Sequence, residues 1–211
     1  VLDAQVDAEN QYSGVTDKFI GDAGMFHWNT IIPQEDHHNL ALQAALQMQE
    51  NLKELNKKFV KEGIPEVACG VGLNSGICVA GNLGARDRFA FSLIGTPCNI
   101  AARLEALAQP NGISISKSVY DLVVPKTKMT FNDLGVQKVK QNEFHAFDIL
   151  LDPSQKRKIK TKKIYVTSRL VGNSSTHSGG CTGGQTGTLT CDDTVCPMGQ
   201  IGPHWRGTPQ Y

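Results

Sequence analysis

The dipeptide Gly21-Asp22, set between two runs of β-compatible residues, constrains the fold of this chain more than any other local feature. A two-residue connection whose glycine takes positive φ joins neighbouring antiparallel strands. We therefore predict a β-hairpin in which residues 15–20 lead into the turn and residues 23–28 lead away. Asp22 would stand at the tip, where its carboxylate can meet a cation, although most aspartates at such positions only close a turn.

The start of a helix is indicated roughly seventy residues further on. Thr96 is a suitable N-cap, Pro97 suits the first helical position, and good helix formers follow. Asn99 and Arg103 are four residues apart, so they share one face near the helix N-terminus. An amide, a guanidinium and a positive helix end suit an anionic ligand, although such a pair more often only caps and solvates a first turn.

A long amphipathic helix is predicted between Asp36 and Lys61, because apolar residues recur there at alternating intervals of four and three. Such a stripe packs in a core. His37 and His38 precede it and are expected to be solvated. The apolar positions are Ala41, Ala45, Met48, Leu52, Leu55 and Phe59.

Glycines crowd the segment Cys69–Gly84, where we predict a second hairpin turning at residues 74–76. A dinucleotide-binding loop is excluded because the residues after the last glycine of that pattern are strand-like, whereas such a loop opens a helix. The alternation of strands, hairpins and helices predicts an α+β, ferredoxin-like sandwich, with helices on one face of a mixed, mostly antiparallel sheet.

Composition narrows the class of protein. The net charge is +1 and 40% of the residues are hydrophobic, so neither a polybasic nucleic-acid surface nor a wholly disordered chain is indicated. No apolar run approaches the roughly 18 residues of a membrane span. Cys69, Cys78 and Cys98 lie in core-like segments and are expected to be reduced thiols, which favours the cytoplasm.

Taken together, six segments in order resemble the catalytic domain of class III adenylate/guanylate cyclases. The resemblance covers about Tyr12 to Leu150, so we expect residues 1–150 to form a cyclase domain that lacks its N-terminal strand and helices. Residues 151–211 are expected to be a basic linker (Lys156–Lys163) and a disordered tail rich in Gly, Ser and Thr. The matching segments are DKFIGDA, the long helix, CGVGLNSGICVAGNLG, RFAFSLIGTPCNIAARLEAL, GISISKSVYDLV and FNDLGVQKVKQNEFHAFDIL.

This resemblance implies a head-to-tail dimer with active sites at the interface, where the 3′-hydroxyl of a nucleoside triphosphate attacks its own α-phosphate. It also implies two Mg²⁺ (or Mn²⁺) ions per site, for which carboxylates are suitable hard ligands. By position, Asp22 resembles a metal-binding aspartate. Asn99 would orient the ribose, Arg103 would stabilise charge on the α-phosphate, and Lys140 would reach a phosphate.

The choice of base is implied by Lys18 and by Ser92, which aligns with its partner position. An ammonium donates to adenine N1, whereas the glutamate typical of guanylyl enzymes accepts from guanine. Lys18 therefore favours ATP, although it could simply point outward from an edge strand. A hydroxyl at Ser92 can accept from the adenine amino group, which is compatible with ATP but less discriminating.

One departure from the family pattern affects activity. The other metal aspartate of the family lies on an earlier strand, yet only twenty-one residues precede Asp22 and the chain opens on Val1. We expect the N-terminal part to be missing and this polypeptide to be inactive by itself.

The predicted function is an adenylate cyclase catalytic domain that makes 3′,5′-cyclic AMP and pyrophosphate for intracellular signalling, as a homodimer or a heterodimer with another cyclase domain. Two alternatives stay open: a non-catalytic cyclase-homology module that regulates a catalytic partner, and a guanylate cyclase. We expect no nucleic-acid partner and no membrane segment in this chain, with membrane anchoring through upstream regions left open.

Overall fold

A computed structural model describes residues 1–85, 87–139 and 142–151, together with the backbone of two short later strands. Its helices are α1 (Leu2–Gln11), α2 (His37–Lys61), α3 (Thr96–Leu107) and α4 (Lys117–Val123), the last followed by a 3-10 turn at Val124–Lys126. Its strands are β1 (Val15–Ile20), β2 (Ala23–His27), β3 (Cys69–Leu73), β4 (Val79–Ala85), β5 (Arg88–Ile94), β6 (Ile113–Ser116), β7 (Thr130–Val139), β8 (Asn142–Leu150), β9 (Leu189–Thr190) and β10 (Gln200–Pro203).

The predicted first hairpin is confirmed. Strands β1 and β2 are antiparallel, with Ile20 opposite Ala23, and Gly21 takes φ 65° in the turn between them. The register shifts between Thr16 and Lys18, so the intervening residue is bulged out of the ladder. A bulge re-aims the side chains around it, and this one decides where Asp17 points.

The strands form two sheets. The larger has the order β1-β2-β10-β3-β6-β8-β7 and is antiparallel except for the parallel pair β3 and β6. The smaller has the order β5-β4-β9. The α+β class with a mixed, mostly antiparallel sheet is therefore confirmed. The second predicted hairpin is wrong, because β3 pairs with β6 and β10 whereas β4 pairs with β5 and β9, in the other sheet.

Three helices pack against one face of the larger sheet. Helix α2 has the predicted stripe, of which the first four positions are buried. Burying a Leu or Met side chain of this kind contributes roughly 1.5–3 kcal/mol, so the stripe holds α2 on the sheet. The buried core also includes Ala8 of α1, Val119 of α4, and the strand residues Phe26, Val71, Leu73, Ile113, Ile115, Phe147 and Ile149.

Helix α3 lies on the opposite face, so the expectation that all helices share one face is wrong. Along β3 the side chains of Val71 and Leu73 enter the first core, while Gly72 faces α3. A Cβ on Gly72 would lie 2.2 Å from the backbone nitrogen of Glu105 and 2.3 Å from the carbonyl oxygen of Ala101. The glycine therefore allows the backbones of β3 and α3 to touch directly.

Two predicted helix starts need correction. Thr96 is the first residue of α3 rather than its N-cap. The N-cap is Gly95, which has no side chain to hydrogen-bond to the first turn. His37 is buried rather than solvated. Its ring nitrogen Nδ1 hydrogen-bonds to the carbonyl oxygen of Gln34, which satisfies that nitrogen away from water. Burial lowers the pKa of His37, and it lowers the pKa of His38 to about 4.

Most of the region after Leu151 lies outside the described residues, so the predictions of a basic linker and a disordered tail stay predictions. Of its backbone, β10 lies between β2 and β3, and β9 lies on the edge of the smaller sheet. Over the part of the chain that is described, no helix combines the length and apolar character needed to cross a membrane.

Candidate functional site

The two residues expected to read the base lie together. Lys18 on β1 and Ser92 on β5 are 74 positions apart in the chain, and the Lys18 Nζ donates to the Ser92 Oγ at 2.6 Å. Ser92 is 4% exposed, whereas the Lys18 side chain is 46% exposed. The pair thus joins the larger sheet to the smaller one and leaves the ammonium accessible to a ligand.

Asp17 is a third member of this cluster that was not predicted from the sequence. Its side chain is fully buried, and it accepts from the Ser92 Oγ at 2.8 and 2.9 Å and from the Leu93 backbone nitrogen at 3.0 Å. It also pairs with the Lys18 Nζ at 3.1 Å. Aspartate is disfavoured inside a β-strand. Its presence in the predicted strand was therefore the one sequence signal that Asp17 has a specific role.

A buried histidine lies near the same carboxylate. His27 on β2 is 0% exposed, and its Nδ1 lies 2.6 Å from the Thr30 Oγ1. Burial lowers the pKa of His27 to about 4, while the negative charge of Asp17 acts in the opposite direction. His27 is therefore neutral at pH 7, and Lys18 is the cation that contacts Asp17.

Asp22, the expected metal ligand, is exposed at the tip of the first hairpin. The negative charge of Asp22 also acts on the thiol of Cys69 in β3. The pKa of that thiol is raised to about 12, mainly by burial and then by the negative charges of Glu105 and Asp22. Among the described residues no group of three His, Cys, Asp or Glu side chains is placed to hold a metal ion. A single carboxylate is too few ligands for Mg²⁺, so these residues do not by themselves form a two-metal site.

Asn99 and Arg103 are both exposed, one turn apart on α3 as predicted. Within the described residues neither side chain has a hydrogen bond or ion pair to hold it in one rotamer. The two are therefore presented to solvent on the outer surface of α3, away from its contact with β3. Lys140, the expected phosphate ligand, lies outside the described residues.

The start of α3 is fixed by groups that sequence reasoning missed. Asn74, in the loop after β3, is 3% exposed, and its Nδ2 donates to the carbonyl oxygen of Pro97 at 3.0 Å. The Sγ atoms of Cys78 and Cys98 lie 3.8 Å apart beneath the same turn of the helix. These contacts hold the backbone from which Asn99 projects.

The fold is similar to that of nucleotide cyclase catalytic domains of known structure. The fold is similar to that of the adenylyl cyclase CyaB from P. aeruginosa, with a TM-score of 0.64, 26% identity, and coverage of 70% of this chain and 77% of that chain. It is also similar to the catalytic core of a rhodopsin-guanylyl cyclase with converted specificity in complex with ATPαS (TM-score 0.59, 26% identity, 69% and 76% coverage). The guanylyl cyclase Cya2 shares the fold at 22% identity (TM-score 0.63, 69% and 74% coverage).

The chain belongs to the adenylate and guanylate cyclase catalytic domain family, whose sequence model matches residues 2–161. It is similar to Adenylate cyclase 1 of Rhizobium meliloti (strain 1021), with 30% identity over 129 residues, or 61% of this chain. It is also similar to an adenylate cyclase of Anabaena cylindrica, with 32% identity over 112 residues, or 51% of this chain. The chain spans about a fifth of the length of these relatives, 19% and 21% respectively.

Proposed function

We propose that this chain is the catalytic domain of an adenylate cyclase, which converts ATP to 3′,5′-cyclic AMP and pyrophosphate for intracellular signalling. The observation that carries the proposal is the 2.6 Å contact between Lys18 and Ser92. Relatives named adenylate cyclase at 30% and 32% identity support the same choice of substrate.

The base would be read by donors and acceptors in the plane of the purine. The Lys18 ammonium donates to adenine N1, and the Ser92 oxygen accepts from the adenine amino group. Guanine carries a hydrogen on N1, so its N1–H and the Lys18 ammonium would be two donors facing each other with no acceptor between them. A polar pair left unmatched in this way costs about 1–3 kcal/mol, enough to favour ATP.

Asn99 and Arg103 would serve the sugar and the α-phosphate. Asn99 is suited to orient the ribose, and the Arg103 guanidinium to stabilise charge on the α-phosphate as the 3′-hydroxyl attacks. Both side chains are exposed and unpaired within the described residues, so a nucleotide can reach them without breaking an existing contact.

The partner would be a second cyclase domain, in a homodimer or a heterodimer. Four large apolar side chains are exposed on β4, β5 and the loop before β4, and two of them, Val79 and Ile94, are cross-strand neighbours. Neighbouring exposed apolar side chains are typical of protein–protein contacts, which supports an interface that completes the site. The exposed fractions are 67% for Ile77, 47% for Val79, 62% for Phe89 and 58% for Ile94.

Asp22 would supply one ligand to the Mg²⁺ or Mn²⁺ ions of a two-metal site. Its position at a hairpin tip leaves both carboxylate oxygens open to a cation. The remaining carboxylate would come from sequence outside the described residues, and Lys140 would contact a phosphate. The described residues would therefore need that second carboxylate to complete the site.

The test is cyclic-nucleotide production from ATP and from GTP, with Mg²⁺ or Mn²⁺. It compares the chain with a form that includes any sequence its gene encodes upstream of Val1. We expect cyclic AMP in preference to cyclic GMP from the form that supplies the second carboxylate, and its loss in Asp22→Ala. The matched control is Asp121→Ala, which removes an exposed aspartate that pairs with Lys117 on α4, and which should leave the rate unchanged.

The other outcomes identify the alternatives. An extended form that dimerises but makes neither cyclic nucleotide would be a non-catalytic module that regulates a catalytic partner. A form that prefers GTP would be a guanylate cyclase, and the assignment of Lys18 to adenine would be wrong.

A further inference from the structure

We propose that Asp17 sets the preference for ATP over GTP by fixing the direction of the Ser92 hydroxyl. This inference rests on the proposed function, because it assigns Ser92 to the base. Asp17 is buried behind Ser92 and would not touch the nucleotide, so it acts as a positioning residue.

The direction of the hydroxyl follows from the hydrogen bonds of the carboxylate. Its two oxygens lie 2.9 and 2.8 Å from the Ser92 Oγ. The Leu93 backbone nitrogen donates to the same group at 3.0 Å, and the Lys18 Nζ lies 3.1 Å away. A carboxylate only accepts hydrogen bonds, so the Ser92 proton must point toward Asp17.

The other side of the Ser92 oxygen is left as an acceptor. A hydroxyl oxygen has two lone pairs, and one of them accepts from the Lys18 Nζ at 2.6 Å. The second lone pair faces away from both partners. Ser92 can therefore accept one more hydrogen bond but has no proton to donate.

This acceptor distinguishes the two purines. The exocyclic group at C6 is an amino donor in adenine and a carbonyl acceptor in guanine. A freely rotating serine hydroxyl would satisfy either group, which is why Ser92 by itself discriminates poorly. With its proton held by Asp17, Ser92 accepts from adenine and opposes the guanine oxygen.

The burial of Asp17 supports a role that needs a carboxylate. A fully buried charge is costly unless it is paired and hydrogen-bonded, and a neutral residue could fill the same space at lower cost. Here the charge has two hydrogen-bond donors and an ammonium around it. All three partners lie at the residues that would read the base or next to them.

The decisive variant is Asp17→Asn, measured in the extended protein. The asparagine has nearly the same shape, but its amide can donate to the Ser92 oxygen and release the serine proton toward the ligand. We expect the ratio of kcat/KM for ATP to kcat/KM for GTP to fall about tenfold, through KM more than through kcat. A merely structural role would lower both rates and leave the ratio unchanged.

A double variant tests the route through Ser92. In Ser92→Ala there is no hydroxyl to orient, so adding Asp17→Asn should not move the ratio further. The matched control is Asp133→Asn, an exposed aspartate on β7 that bonds to Gly135 and His145, and it should leave the ratio at the wild-type value. If Asp17→Asn does not fold, Asp17→Ser also removes the carboxylate, and the same fall is expected.

The outcomes separate this inference from the proposed function. An unchanged ratio in folded Asp17→Asn, or a shift that persists in the Ser92→Ala background, overturns the role of Asp17 while cyclase activity stands. If the protein makes no cyclic nucleotide, the proposed function fails, and the ratio of the Kd values for ATP and GTP then tests Asp17 directly. Binding of neither nucleotide overturns both.

Discussion

Two parts of the site are built in different ways. The base cluster, Asp17, Lys18 and Ser92, is held together by hydrogen bonds within the chain. The exposed residues, Asp22, Asn99 and Arg103, lie open to solvent. Preorganised groups contribute to stability as well as to binding, whereas exposed groups acquire their geometry only when a ligand or partner arrives. Substitutions in the two parts should therefore have different consequences.

The largest effect is expected at the exposed residues. Asn99→Ala and Arg103→Ala should each lower kcat of the extended protein by about 10²–10³, because each removes a group that acts on developing charge or on substrate orientation. The free energy of unfolding should change by no more than about 0.5 kcal/mol, since neither side chain is buried. Turnover assays and denaturant unfolding measure the two quantities. Lys117→Ala on α4 is the control, and a comparable loss of kcat there would contradict the assignment.

A smaller effect, on both quantities, is expected in the base cluster. Lys18→Glu should lower the use of ATP relative to GTP by about 1–3 kcal/mol. It should also destabilise the fold by about 1–2 kcal/mol, because a second carboxylate would face buried Asp17. Lys57→Glu, on the exposed side of α2, is the matched charge reversal and should leave the free energy of unfolding nearly unchanged. Equal ATP and GTP rates in wild type and Lys18→Glu would refute the base assignment.

The smallest expected effect is on the pH dependence of stability, through His27, which is buried near Asp17. The unfolded chain protonates His27 near pH 6.5, but the folded chain does so only near pH 4. Stability contributed by the neutral, buried ring is complete above pH 6.5 and is lost as the pH falls toward 4, by about 1 kcal/mol between pH 7 and 5.5.

The matched experiment is His27→Gln, followed by denaturant unfolding over that pH range. This variant should lose that part of the pH dependence. His38→Gln, at a ring on α2 whose pKa is also lowered to about 4, should remove a separate part of the dependence. An identical slope in His27→Gln and wild type would show that His27 is not the titrating group.

Much of the fold could be predicted because its signals are local. The Gly21-Asp22 turn, the stripe of α2 and the proline at the start of α3 each act within a few residues. The pair Lys18 and Ser92, by contrast, came from resemblance to a family, since no periodicity connects residues 74 positions apart. Their roles in binding a nucleotide stay predictions.

The features that were missed depend on long-range contacts. A local pattern predicts the turn after Leu73, but it cannot show that β3 pairs in parallel with β6 instead of with β4. The burial of Asp17 depends on a bulge in β1 and on a partner strand far along the chain. His37 is the exception, since its hydrogen-bond partner Gln34 is only three residues away.

The direct contact of β3 with α3 at Gly72 also bears on how motion passes through the domain. Where two elements meet through side chains, those side chains can change rotamer and absorb a displacement. At Gly72 backbone meets backbone, so no side chain lies between β3 and α3 to take up such a displacement. A ligand or partner that displaces the central strand would therefore press directly on the helix that carries Asn99 and Arg103, without contacting the site.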